Sequence, residues 1–179
     1  MWVYIWAVKD DYSAMQWPAP DGFHVPSKDE WVALCGILTS TFGMANNSTT
    51  IGTYLKMPMS GRREQSNADI SGVGSIGYYW SSTSYNVNSA YNLYILSSRI
   101  NPQYNNYRSN GFSVRCFKNS PTIPTSSWTT LYQGSWNAWV FWSSTDGLIS
   151  VSGDWQTWYT IMDKNLWATT VYKQWDTLT

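Results

Sequence analysis

Hydrophobic positions recur every three or four residues in the stretch that follows Ser27, where they include Trp31, Leu34, Cys35 and Leu38. This spacing is typical of one face of an α-helix. Ser27 stands three residues before Glu30, which is the arrangement of a capping box. The pattern therefore predicts a helix from about Lys28 to Thr39, and a short second helix is compatible with Gly52–Lys56.

The hydrophobic period changes to two from Gly77 onward. Within Ala90–Leu96 the alternation predicts one face made of Tyr91, Leu93 and Ile95, and an outward face made of Asn92, Tyr94 and Leu96. Gly111–Lys118 alternates in the same way. Arg99–Asn110 lies between these two stretches and has the composition of a turn, with one proline. We expect a β-meander whose apolar face covers the helix.

The two ends of the chain contain further strand-like segments. Residues 1–20 mix aromatic residues with prolines and predict a strand followed by a loop. After a Pro/Ser/Thr connector at 119–127, residues 128–172 are strand-like, with a turn expected at Asp146-Gly147. The fold class expected is α+β, with irregular antiparallel sheets packed against one or two helices and long loops. We expect residues 1–119 to form one module, and we expect residues 120–179 either to close that module or to begin a second, truncated one.

Charge and hydropathy exclude several classes of partner. The 179 residues carry no formal net charge and are 12% charged, against roughly 25% in ordinary domains. This balance gives no electrostatic reason to bind nucleic acid or an anionic membrane. No apolar run approaches the roughly 20 residues that a membrane-spanning helix needs, and the first residues lack a basic signal-peptide region. We expect no nucleic-acid partner and no membrane span.

Candidate catalytic and cofactor motifs are weak. Gly72–Gly77 matches G-x-G-x-x-G, but a strand pattern follows it, whereas a dinucleotide site needs a helix there. His24 is the only histidine, and its place beside the start of a helix is typical of a structural residue. Arg62-Arg63 is interpreted as a solvated surface pair. We expect no catalytic residue, no metal site, no cofactor and no enzymatic activity.

The two cysteines, Cys35 and Cys116, both lie in apolar surroundings. Two buried free thiols are one interpretation. A single disulfide between them is the alternative, since spacing alone does not fix the geometry of a disulfide.

Neutral polar and aromatic residues crowd the stretch from Ser84 to Asn110. Its 27 residues include seven Asn, five Tyr and five Ser, and the only charges are Arg99 and Arg108. Antibody binding loops have a similar composition, because Tyr supplies rigid contact area and Asn and Ser supply adaptable hydrogen bonds. A plain polar loop is the alternative interpretation.

Four segments together carry a resemblance to a known family: DGFHVPSKDEWVAL, GYYWSST, AYNLYIL and RSNGFSVRCFKN. In this combination, over residues 17–119, the chain resembles the variable proteins of diversity-generating retroelements, which have a C-type lectin fold. They are distantly related to formylglycine-generating enzymes, whose catalytic cysteine pair has no convincing match in Cys35 and Cys116. The resemblance implies a C-type lectin-like fold and a ligand-binding protein diversified by adenine-directed mutagenesis. It implies a variable region at about 81–118.

The same resemblance separates fixed from diversified positions. The segments Gly77–Thr83 and Gly111–Cys116 match the fixed scaffold, together with Ala90, Tyr91, Leu93 and Ile95. The positions implied to be diversified and to bind ligand are Tyr85, Asn86, Val87, Asn88, Asn92, Tyr94, Leu96, Arg99, Tyr104, Asn105 and Tyr107. The ligand expected is a protein or a glycan, and the location expected is a cell surface, the secreted fraction or a virion.

Two features depart from the family pattern. Residues 160–172 resemble a segment that usually comes early in such modules, and Trp155 and Trp167 stand where glycine is expected. Two other functions remain open: a fixed carbohydrate-binding lectin-like module, and a structural module of a surface or phage-tail protein.

Overall fold

Two helices begin at capping side chains. The computed structural model describes residues 19–134 and 138–166, and its helices are α1 (Lys28–Gly36) and α2 (Ser48–Leu55). Ser27 Oγ accepts a hydrogen bond from the Glu30 amide, and Glu30 Oε2 accepts one from the Ser27 amide, so the predicted capping box is confirmed. A π-helical turn over Ile37–Thr41 extends α1. The Asn47 side chain caps α2.

A five-stranded sheet contains the predicted meander. Its strands are β2 (Ser60–Arg63), β3 (Ile70–Val73), β4 (Ile76–Ser84), β5 (Ser89–Leu96) and β6 (Ile100–Tyr107). The order is β3-β2-β4-β5-β6, and only the β2–β4 pair is parallel. The segment Gly72–Gly77 spans the turn from β3 into β4, so a strand follows the glycines, as expected.

A six-stranded antiparallel sheet combines both ends of the described chain. Its strands are β1 (Phe23–His24), β7 (Phe117–Lys118), β8 (Thr129–Gln133), β9 (Trp139–Ser143), β10 (Leu148–Ser152) and β11 (Trp158–Met162). The order is β1-β7-β11-β10-β9-β8. The turn predicted at Asp146-Gly147 is confirmed between β9 and β10, and Gly147 has the left-handed φ of +68° that such a turn favours.

The main core lies between α1 and the two sheets. Its fully buried side chains come from the helix, from β5 and from the second sheet, and they include Trp31, Leu34, Leu38, Leu93, Ile95, Val140, Ile149, Val151 and Ile161. Residues before and after position 120 therefore share one sheet and one core within the described chain. A second cluster on the other face of β4 and β5 contains Tyr78, Trp80, Phe112, Val114 and Cys116. The described residues form a mixed α+β structure.

Two segments differ from the predicted elements. Arg99–Asn110 was expected to be a turn, but Ile100–Tyr107 is strand β6, because pairing with β5 outweighs its turn-like composition. Gly111–Lys118 was expected to be one strand, yet only Phe117–Lys118 is. The predicted alternation still describes which side each residue faces, because Phe112 packs in the second cluster and Phe117 packs in the main core.

The two cysteines are free and buried, so the disulfide alternative is wrong. Burial raises the pKa of each thiol to about 12. Cys35 belongs to the main core and Cys116 to the second cluster. Thiols in such surroundings are protonated and unreactive, and they act as small apolar side chains.

Trp155 occupies a backbone conformation that favours glycine. Its φ is +61°, so the departure noted in the sequence marks a real local constraint. The Ser152 and Asp154 side chains accept hydrogen bonds from the amides of this turn. The Trp155 ring contacts Trp158 edge to face with centroids 5.0 Å apart. Most of the strand and loop expected at 1–20 lies outside the described residues, and so does Trp167.

Candidate ligand-binding surface

An aromatic row runs from the interior to the surface through Trp80, Phe112, Tyr78, Tyr94 and Tyr104. Successive ring centroids are 4.2, 4.7, 5.2 and 4.8 Å apart. Exposure rises along the row, from 1% at Trp80 to 39% at Tyr104. The outer rings are therefore supported from below by rings that are fixed in the second core cluster.

Strand register explains how the row forms. Tyr78 of β4 lies opposite Tyr94 of β5, and Tyr104 of β6 lies opposite Asn92. Directly opposed side chains in an antiparallel pair project from the same face of the sheet. An irregularity in the pairing between Asn92 and Tyr94 places an extra residue in β6. Despite this irregularity, the Tyr94 and Tyr104 rings stack with an interplanar angle of 24°.

Two guanidinium groups flank the row. The Arg99 Cζ atom lies 5.8 Å from the Tyr94 ring centroid, and the Arg62 Cζ atom lies 5.2 Å from that of Tyr78. These distances are within the range of cation–π attraction. Arg62 Nε also donates to Glu64 Oε1 at 2.7 Å. We call the exposed and half-exposed group Tyr94, Leu96, Arg99 and Tyr104 the tyrosine face.

Asn92 does not belong to this surface. It is fully buried, so the prediction that it faces solvent is wrong. Asn92 lies on the same face of the sheet as Tyr94, as predicted. On that face the neighbouring strand β6 places Tyr104 opposite Asn92 and places Asn106 one pair further along. Asn106 Nδ2 donates to Asn92 Oδ1 at 3.0 Å. Asn92 is therefore part of the support beneath the tyrosine face.

The hairpin loop Tyr85–Asn88 forms a second exposed group. Val87 is 88% exposed at its tip. Asn86 Oδ1 accepts hydrogen bonds from the amides of Asn88 and Ser89, and Arg108 Nη2 donates to Asn86 O and to Ser84 Oγ. The loop is thus held in one shape by its own asparagine and by Arg108 from the end of β6.

The remaining predicted positions lie on the opposite face of β6 from Tyr104. Asn105 is opposite Tyr91, and Tyr107 is opposite Ser89. Both are exposed. The structure therefore does not bring the predicted residues onto one flat face. One group forms the tyrosine face, a second group consists of the hairpin loop with Asn105 and Tyr107, and both border the edge strand β6.

Three residues of the site were missed in the sequence. The sequence predicts that Tyr78 belongs to the scaffold and that Arg62 is solvated, and it identifies Arg108 only as a charge. The alternation in β4 and β5 could have paired Tyr78 with Tyr94 once their register was known. The position of Arg62 depends on the parallel pairing of Gly61 with Gly77, for which the sequence carries no local signal.

Three ionisable side chains at or beside the surface have shifted pKa values. Burial raises the pKa of Tyr78 and lowers that of Arg108. Hydrogen bonds from Ser71 and Arg62 lower the pKa of Glu64, so it is a stable carboxylate at neutral pH. Within residues 19–134 and 138–166, no three His, Cys, Asp or Glu side chains are grouped so that they could hold a metal ion.

Comparisons with known proteins add a partial family match. A family model described as a domain of unknown function (DUF8237) matches residues 45–117. This span includes α2, the whole five-stranded sheet and all eleven predicted binding positions. No curated protein and no solved structure matches the chain. In the part of the chain that is described, no helix has the length and apolar character needed to cross a membrane.

Proposed function

We propose that this chain is a non-enzymatic ligand-binding protein with a C-type lectin-like fold, and that it is a variable protein of a diversity-generating retroelement. The tyrosine face binds the ligand, and the hairpin loop borders it. The observation that carries the proposal is the aromatic row, which connects the exposed Tyr104 to the second core cluster through four ring contacts. Three of them are stacked, and the contact between Tyr78 and Tyr94 is tilted.

The row gives the surface two properties that favour binding. Tyrosine offers a large contact area for the loss of few rotatable bonds, and stacking on Tyr94 already limits the motion of the Tyr104 ring. Binding then costs less conformational entropy. Binding energy in interfaces is concentrated at Tyr, Trp and Arg anchors, and the tyrosine face contains two tyrosines and Arg99.

The burial pattern also supports diversification. Of the eleven positions implied to vary, ten are exposed or half-exposed, and only Asn92 is buried. Exchanges at exposed positions usually change stability by no more than about 0.5 kcal/mol. Within the expected scaffold segment Gly77–Thr83, residues 77–81 are buried, and Ser82 and Thr83 are half-buried. The positions proposed to vary are thus mostly accessible and the proposed scaffold is mostly buried, and Asn92 groups with the scaffold.

A binding selection tests the role of the tyrosine face. Peptides selected from a random displayed library on the wild-type protein, and glycans retained from an array, are measured against Tyr104→Ala and Ile123→Ala. Ile123 is 63% exposed in the connector, so it controls for loss of an exposed apolar side chain. We expect Tyr104→Ala to weaken binding about tenfold and Ile123→Ala to leave it unchanged. Equal binding by wild type and Tyr104→Ala would contradict the proposal.

The encoding locus tests diversification independently. A near-identical template repeat that differs mainly at adenines should lie beside a reverse transcriptase gene. Sibling sequences should vary at the ten accessible positions and retain Asn92. Variation spread evenly along the chain would exclude retroelement diversification while leaving ligand binding open.

A further inference from the structure

We propose that the tyrosine face recognises an acidic peptide segment, whose carboxylate pairs with Arg99 while an apolar or aromatic neighbour packs on Tyr94 and Tyr104. This inference rests on the proposed function, since it names the ligand class of the same surface. It follows from the local charge balance, from the position of the Arg99 guanidinium and from the side chains that occupy the edge of β6.

The five-stranded sheet carries an excess of positive charge although the chain as a whole is neutral. Residues 57–113 contain the four cations Arg62, Arg63, Arg99 and Arg108, and the two anions Glu64 and Asp69. Both anions are already engaged within the protein. Glu64 accepts hydrogen bonds from Arg62 and Ser71, and Asp69 accepts one from Asn67. The excess charge is therefore available to an outside partner.

Arg99 is the cation best placed to use that excess. It is exposed, and among the described residues no carboxylate lies within 4.0 Å of its guanidinium. The Tyr94 ring centroid lies 5.8 Å from the Arg99 Cζ atom, which is within the range of a cation–π contact that orients the group. A guanidinium presents parallel N–H donors that match the two oxygens of a carboxylate. The adjacent tyrosines offer an apolar surface on which the rest of the ligand can pack.

The edge of β6 does not favour the alternative of strand addition. Asn46 Oδ1 accepts a hydrogen bond from the Ile100 amide, and Asn101 Oδ1 accepts one from the Gln103 amide. Pro102 lies between them and has no N–H group. A peptide that extends the sheet needs free backbone groups along such an edge. Recognition on this side of the sheet therefore depends on side chains, with Arg99 as the charged one.

An acidic peptide fits this surface better than a nucleic acid does. Binding to nucleic acid requires several phosphates to be neutralised along a basic stripe. Here Arg62, the second guanidinium beside the row, is paired with Glu64 at 2.7 Å, which lowers its attraction for phosphate. One or two carboxylates next to an apolar side chain match one uncompensated guanidinium next to two tyrosines.

The test uses the peptides selected from the random library on the wild-type protein. Their sequences are scored for Asp and Glu, and their affinities are measured with wild type, Arg99→Gln, Arg99→Lys, Arg63→Gln and Tyr104→Ala at about 50 and about 500 mM NaCl. Arg63→Gln removes one positive charge from the same sheet, where Arg63 Nε donates to Ala68 O. Thermal unfolding of each variant verifies that it is folded.

We expect the selected peptides to be enriched in Asp and Glu and to bind Arg99→Gln about fivefold more weakly. Arg99→Lys should retain part of the affinity, Arg63→Gln nearly all of it, and salt should weaken binding to wild type more than to Arg99→Gln. Three results would overturn the inference. They are selected peptides without acidic enrichment, equal losses of affinity for Arg63→Gln and Arg99→Gln, and oligothymidine that binds the wild type more tightly than the selected peptides do. If peptides without acidic enrichment still lose affinity with Tyr104→Ala, the proposed function stands, but its ligand is not acidic. Peptides that are indifferent to Tyr104→Ala would overturn both.

Discussion

Asn106 Nδ2 donates a hydrogen bond to Asn92 Oδ1 at 3.0 Å, across the pairing of β6 with β5. Asn92 is fully buried and its own Nδ2 has no partner among the described residues, whereas Asn106 is half-exposed. Two asparagines from the same Asn-rich stretch therefore have different roles. Asn92 is fixed beneath the aromatic row, and Asn106 connects it to the edge strand.

This burial predicts that position 92 tolerates exchange poorly. Asn92→Ala should lower the free energy of unfolding by about 1–2 kcal/mol, because a buried hydrogen bond and some packing are lost. Asn92→Tyr, a product that adenine-directed change of an Asn codon can give, should cost about 3 kcal/mol through overpacking. The matched exchanges Asn105→Ala and Asn105→Tyr, at an exposed position of β6, should remain within about 0.5 kcal/mol.

Urea unfolding of the four variants measures these differences. A double-mutant cycle of Asn92→Ala with Asn106→Ala isolates the hydrogen bond between them. A tyrosine at position 92 that leaves stability unchanged would show that the site can open, and it would restore the prediction that position 92 is diversified.

The close approach of β2 to β3 predicts a strong effect at Gly61. Its φ is +68°, and an added Cβ would overlap Ser71 O and lie 2.7 Å from Val73 N. Gly74 has a similar φ of +78° with open space around it. Gly74→Ala should therefore cost only the left-handed backbone term of about 1 kcal/mol. Gly61→Ala should cost at least about 3 kcal/mol. Thermal unfolding compares the two, and equal losses would mean that crowding contributes nothing.

The parts of the fold that the sequence predicts are those that depend on neighbours along the chain. The capping box at Ser27 and Glu30 involves residues three apart, and the turn at Asp146-Gly147 requires only two residues and their flanking strands. The alternation that predicts strand β5 is equally local. In each case the residues that determine the structure lie within a few positions of one another.

The parts that the sequence misses depend on pairing over long distances. Strand β6 has a turn-like composition and forms because β5 lies beside it. Asn92 alternates with buried residues as an outward position should, but the second face of the sheet is also covered, by Phe112 and its neighbours. Alternation predicts which face a residue occupies, and it does not predict whether another segment covers that face.

Arg115 connects the end of α2 with the end of β11 through hydrogen bonds to their backbone carbonyls. It is fully buried and donates to Lys56 O at 2.6 Å, to Met162 O at 2.7 Å and to Leu55 O at 3.3 Å. Burial lowers its pKa to about 10, so it stays charged at neutral pH. Arg115→Met should cost about 3–5 kcal/mol, because the three carbonyls lose their donor in the interior.

Arg99→Met is the matched control for Arg115→Met, since Arg99 is exposed, and it should change stability by no more than about 0.5 kcal/mol. Hydrogen exchange gives a local measurement. Relative to wild type, Arg115→Met should speed the exchange of the amides of β11 and of the last turn of α2 more than that of the amides of β4. An equal change in exchange rate in β11, α2 and β4 would show that Arg115 does not connect β11 with α2.

His24 predicts a pH window for stability. Its Nε2 lies 2.8 Å from Glu30 Oε1, and its Nδ1 lies 2.8 Å from Asn119 Oδ1. The hydrogen bond to Glu30 raises the pKa of His24 above 6.5. Burial alone would raise the pKa of Glu30, but hydrogen bonds from His24 and Ser27 outweigh it and hold that pKa below 4.5. Each group favours the charged state of the other.

The two shifts act at opposite ends of the pH scale. The raised His24 pKa stabilises the fold below about pH 6.5, and this contribution is lost as the pH rises through the folded-state value. The lowered Glu30 pKa stabilises the fold above about pH 4.5, and this contribution is lost as the pH falls through its folded-state value. Both contributions are therefore present together between about pH 4.5 and 6.5.

Glu30→Gln removes the charge and keeps a side chain that can complete the capping box. The melting temperature of wild type should exceed that of Glu30→Gln most at about pH 5.5 and least at about pH 8.5. Since the pair is partly exposed, we expect a difference of about 2–4 °C at most. The single exchange His24→Gln should give the same pH dependence, because both variants end the same interaction. A difference between wild type and Glu30→Gln that stays constant from pH 5.5 to 8.5 would mean that His24 is neutral in the folded protein.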